Sequence, residues 1–124
     1  MTAMQQAQAS YRAAAEPIRT PRGAEYEAFA RITSRLKAAA RPPVRFAELA
    51  GAIHDNRRLW TILAADASGE GNRLPADLRA RILYLAEFTR VHSARVLRAR
   101  AEVGPLIEIN AAIMRGLSDR AAVP

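Results

Sequence analysis

The chain has 124 residues, half of them apolar and a quarter charged, which suits one globular domain with a single modest core. Its formal charge is +7, carried almost wholly by arginine because Lys37 is the only lysine, and it contains no cysteine. Disulfides, thiolate ligands and thiol nucleophiles are thereby excluded, and no apolar run is long enough for a membrane span.

Residues 2–16 predict a first helix, with Met4, Ala7, Tyr11, Ala14 and Ala15 at helical spacing. Alanine raises its propensity but buries little, so this helix depends on docking for its stability. Pro17 ends it. The opening MTAMQQAQASYRAAAEP has no basic start followed by an apolar block, so no secretory signal is expected and the cytoplasm is the simplest location.

Thr20-Pro21 predicts the next helix start, threonine as cap and proline in the first position. Tyr26, Phe29, Ala30, Thr33, Leu36 and Ala40 form its stripe, with Ile32 beside it. Pro42-Pro43 stops it, because a residue before proline is pushed out of the α region. A third helix over 44–66 places Phe46, Leu49, Ala50, Ile53, Trp60, Leu63 and Ala64 on one stripe. Gly51 inside it costs roughly 1 kcal/mol against alanine and suggests a close helix crossing.

The glycine-bearing loop Ser68-Gly69-Glu70-Gly71-Asn72 reverses the chain. Pro75 then opens a fourth helix that the pattern carries to Glu102, with Asp77 in its positive first turn. Leu78, Ile82, Leu85 and Val96 make its main stripe, and Leu83, Tyr84, Phe88 and Val91 widen it. A helix so broadly apolar is either central to a bundle or keeps one face for a partner. Gly104-Pro105 stops and restarts the chain. The last helix, Pro105 to Arg115, carries Leu106, Ile109 and Ile113, with Leu117 following on the same face. Gly116 is its expected end, and 118–124 an expected tail. No strand alternates and no repeat is visible, so the fold class is all-α: one domain over 1–124, a small bundle of about five helices.

Catalytic chemistry finds no footing in these residues. His54 and His92 stand on different helices without HExxH or paired-carboxylate spacing, and a metal needs more ligands than that. His92 reads as a hydrogen-bonded core histidine and His54 as a solvated one. Ser68 lacks the GxSxG frame, and GEGN is followed by no Lys-Ser/Thr pair. The expectation is a non-enzymatic protein with no cofactor and no metal.

The most unusual cluster is Asn56-Arg57-Arg58-Leu59-Trp60. Its first reading is a polar network that locks helix register, with the indole N–H and Asn56 finding buried partners. Its second is an anchor patch of Asn56, Arg57 and Trp60 for a partner protein. Glu108 and Asn110, in PLIEIN, pose the same choice, and Ile107 beside them joins the partner-binding candidates. The arginines are scattered from Arg12 to Arg120, so they suit a solvated surface first and a phosphate or carboxylate partner second.

Four stretches, TPRGAEYEAFARITSRLKAA, FAELAGAIHDNRRLWTILAAD, LPADLRARILYLAEFTRVHSARVL and PLIEINAAIMRGL, together resemble the FlaF family of flagellar biosynthesis regulators of α-proteobacteria. The likeness spans Tyr11 to Leu117, and HDNRRLW and IEINAAIMRGL carry most of its specificity. The resemblance implies a binder of flagellin that acts like a secretion chaperone and tunes flagellin synthesis after transcription, with FlbT as a functional partner. Two other readings follow from it: direct binding of flagellin messenger RNA, or an adaptor for FlbT alone. A helix with a surplus apolar arc suits shelter of an amphipathic flagellin segment, and the Tyr84-Phe88-Val91 flank, with the last helix, is the expected groove wall. Permanent cover of that flank by residues 2–16 or by the last helix is the competing expectation.

Overall fold

The computed structural model describes residues 21–69 and 74–122, and their side chains over 25–69 and 74–116. Among these residues there are four helices and no strand: α1 (Pro21–Ala40), α2 (Phe46–Ser68), α3 (Ala76–Leu97) and α4 (Gly104–Ala122). The expected helix over 2–16 lies outside the described residues.

Short connections force neighbouring helices to run antiparallel. Core membership shows the register. Phe29 and Ile32, early in α1, pack with Trp60, Leu63 and Ala67, late in α2, and with Ile82, early in α3. Leu36 and Ala39, late in α1, pack with Ala52 and Ile53, early in α2, and with Val96 late in α3 and Leu106 early in α4. The four helices therefore run up, down, up, down. Packing is close between α1 and α2, α2 and α3, and α1 and α4, while α3 and α4 touch only lightly.

The largest buried side chains, Trp60, Phe29, Leu36, Ile53 and Leu106, each stabilise the bundle by about 2–3 kcal/mol through apolar burial. Phe29 meets the Trp60 ring edge-on, with centroids 5.4 Å apart at 77°. That orientation sets the positive edge of one ring against the negative face of the other.

Three sequence expectations are corrected here. The fourth predicted helix stops at Leu97 rather than Glu102, because Ala99 turns into the left-handed region at φ 56°. The amides of Arg98, Ala99 and Arg100 then bond back to the carbonyls of Ala94, Val96 and Arg95, closing the last turn. At the other end, α4 runs through Gly116 to Ala122, so 118–122 are helical and not a tail. A glycine weakens a helix interior without breaking it, and the alanines beyond favour its continuation. Gly51 does not mark a crossing of two backbones. A Cβ there would lie 3.2 Å from Arg35 Nη2, so the glycine gives the α1 guanidinium its passage to Asp55, with which it forms an ion pair.

Candidate partner-binding site

Each helix puts a polar side chain at mid-height, between the two apolar clusters. α1 contributes Thr33, α2 Asn56, α3 Thr89 and Ser93, and α4 Asn110, all of them buried. Trp60 Nε1–H donates to Asn110 Oδ1 at 2.9 Å, and Asn110 Nδ2–H donates to Asn56 Oδ1 at 2.7 Å. An indole can only donate, so the Trp60 bond fixes which way the Asn110 amide points and hence what Asn56 must offer. Asn56, Trp60 and Asn110 are at most 1% exposed, which places them inside the bundle and not on a surface patch. The polar network is what these residues build.

Beside this layer, on the outside of the α2–α3 pair, lies a furrow of about 360 Å³. Its floor and walls include the flank of Trp60 and the small side chains Thr61, Ala64 and Ala86, with Leu83 at one rim. Small residues on two facing helices leave a channel where larger ones would interlock. Arg57 stands half-buried along it, and Glu87 and Arg90 close the α3 side. Arg90 clasps Glu87 through two hydrogen bonds, of 2.6 and 3.0 Å. Those bonds hold the Glu87 carboxyl below its ordinary value and raise Arg90. Arg57 makes no ion pair among the described residues, so one wall carries an uncommitted cation.

The outward arc of α3 is apolar and open. Tyr84 is 70% exposed, Val91 45% and Leu83 39%. Phe88 is turned aside: it is half-buried and stacks on His92, centroids 5.3 Å apart and 11° from parallel. His92 is itself buried, and its Nε2–H donates to the Glu102 carbonyl at 2.7 Å, tying α3 to the connection that leads into α4. Ile107 is half-buried against the lower cluster.

Of the eight sequence candidates, then, Tyr84, Val91 and Arg57 offer surface, Phe88 and Ile107 offer a part of theirs, and Asn56, Trp60 and Asn110 are interior. This furrow lies on the α2 side of the arc. Thr61, Ala64, Leu83 and Ala86 were missed as lining residues. Their signal was small side chains at three-residue spacing on one outer face of α2, opposite Ala86. Among the described residues no three His, Asp or Glu side chains group as a metal requires, and no helix is long and apolar enough to cross a membrane.

The family model described as flagellar protein FlaF matches residues 7–117. No curated protein and no solved structure matches.

Proposed function

The chain belongs to the FlaF family of flagellar proteins, and on that premise we propose that it binds flagellin by receiving an amphipathic segment along α3. The observation that carries this reading is the open arc of Leu83, Tyr84 and Val91 beside the α2–α3 furrow. Exposed large apolar side chains that adjoin a channel are the usual mark of a helix-in-groove site. The furrow is too small for a whole helix but accepts a few aliphatic side chains, so the guest lies along the arc and inserts anchors. Arg57 favours a guest with a carboxylate near those anchors.

Holding such a segment keeps its apolar face from aggregating before export, which is chaperone action. The same occupancy couples flagellin supply to its own production: unexported flagellin loads the protein, and the free fraction is left to act on synthesis, with FlbT as the fitting partner. The test is titration of the purified full chain with flagellin and with flagellin lacking either terminal region. Tyr84→Asp and Val91→Asp should each weaken binding at least tenfold while helix content and unfolding midpoint hold. Unchanged affinity in both variants removes the arc from the binding face. Affinity that resides instead in the leader of the flagellin message, and falls steeply with salt, replaces this reading with direct RNA binding.

A further inference from the structure

Five of the arginines that are scattered in sequence, with the one lysine, come together in space. The up-down order brings the end of α1, the α1–α2 connection, the end of α3 and the α3–α4 connection to one end of the bundle. Lys37, Arg41, Arg45, Arg95, Arg98 and Arg100 all lie there, and all are exposed. Against these six cations stand three carboxylates, Glu48, Glu102 and Glu108. Only one pair forms among them, Arg45 with Glu48 at 3.7 Å, on two well-exposed side chains. Among the described residues toward the opposite end, Glu25, Glu27, Asp66 and Asp77 stand beside Arg31, Arg79, Arg81 and Arg115, so the two signs balance.

The same end carries apolar side chains that nothing among the described residues covers. In the connection Arg41-Pro42-Pro43-Val44-Arg45-Phe46, Val44 is 51% exposed and Phe46 64%. The prolines are exposed as well. Phe46 is the first residue of α2, so it stands at the tip of the bundle and not along its side. The left-handed Ala99 turns Arg98 and Arg100 out together at the neighbouring corner.

We infer that this end of the bundle is a docking face for an anionic bilayer surface, with Val44 and Phe46 entering the headgroup region and the surrounding arginines meeting lipid phosphates. Three observations favour a bilayer over other anions. The cations come from two chain stretches, 37–45 and 95–100, that the antiparallel order brings to one end of the bundle, and such a spread suits a surface better than a pocket. Of the tip residues Phe46 alone offers a base an aromatic face, whereas Val44 and the two prolines bury in lipid and give a base nothing to stack on. Arginine ringed about a short apolar protrusion is the balance by which peripheral proteins hold a membrane, electrostatic attraction supplemented by shallow insertion. This face is remote from the α3 arc near Tyr84, so a protein held by its tip leaves that arc free. The inference stands apart from the flagellin reading and does not depend on it.

Flotation of the full chain with vesicles is the test, comparing neutral phosphatidylcholine with vesicles containing 30 mol% phosphatidylglycerol, a proportion of about one lipid in three. The chain should float with the anionic vesicles and not with the neutral ones. Arg98→Gln and Arg100→Gln should each weaken partitioning about fivefold, and Phe46→Ser should weaken it at low and high salt alike. Arg58→Gln, which lies away from this end, should change nothing. Circular dichroism of each variant separates loss of fold from loss of docking. Equal recovery with both vesicle types, or anionic binding that Phe46→Ser and the arginine pair leave intact, overturns the proposal. So does displacement from vesicles by a short single-stranded RNA that binds more tightly, which would assign the face to nucleic acid.

Discussion

Asn110 donates a 2.7 Å hydrogen bond to Asn56 across 54 positions of sequence, joining the second and fourth helices at the level where the apolar core is interrupted. Its oxygen simultaneously accepts from Trp60, so one carboxamide serves two partners on α2. All three residues are buried, and none can turn to solvent if the others are removed. Buried polar contacts of this kind fix register and pairing of helices more than they add net stability.

Removing Asn110 alone leaves two orphaned groups and a small cavity. Asn110→Ala should therefore lower unfolding stability by roughly 2–4 kcal/mol in urea titration. Asn56→Ala and Asn110→Ala combined should fall short of the sum of the single changes by about 0.5–2 kcal/mol, because each already breaks the shared bond. Strict additivity would mean that the two amides are not coupled.

The hydroxyls of Thr33, Thr89 and Ser93 are buried at the same level and find no hydrogen-bond partner among the described residues. A buried hydroxyl without a partner is costly, and a methyl of the same shape is not. Thr33→Val should raise stability by about 1 kcal/mol, read as a shift of the denaturation midpoint with unchanged slope. A loss of stability would show that the hydroxyl is engaged.

Ala99 occupies the left-handed region at φ 56°, where the Cβ of an L-residue crowds the following carbonyl. Glycine escapes that crowding, although it also gains freedom in the unfolded chain. The net expectation for Ala99→Gly is stabilisation by about 0.5–1 kcal/mol in thermal unfolding, and for Ala99→Val a loss of at least that size.

Glu87 titrates below its ordinary value because Arg90 hydrogen-bonds its carboxylate. A depressed acid favours the folded state above the unfolded value, and that contribution is lost as pH falls through the lowered one. A carboxyl-resolved NMR titration should show Glu87 titrating in this acid window, and Arg90→Gln should move its midpoint upward. Because both side chains are largely exposed, neutral-pH stability should hardly respond to the same substitution.

Fold class, the end of α1, the boundaries of α2 to within two residues and the start of α3 were legible in the linear pattern. Their signals are local: Pro42-Pro43 stops α1, Pro75 fixes φ just before α3, and apolar residues recur at the helical period. The ends of α3 and α4 were not legible. Ala99 adopts a conformation usually reserved for glycine, while Gly116 sits within a helix that continues past it. There the closing backbone bonds of one turn, and the helix-favouring residues beyond the other, outweighed single-residue preference.

The candidate surfaces divide in the same way. Periodicity established that α3 has more apolar circumference than one neighbour needs, and Tyr84, Val91 and Leu83 are indeed open. It could not say which flank a furrow would follow, because that depends on Thr61 and Ala64 of α2 meeting Ala86 across a helix pair. Nor could it say that Arg41, Arg45, Arg98 and Arg100 share one end. A sequence records the order of its charges along the chain and the face each takes on its own helix. Only the antiparallel packing of four helices decides which distant residues come to the same level, and with that which surfaces the protein has to offer.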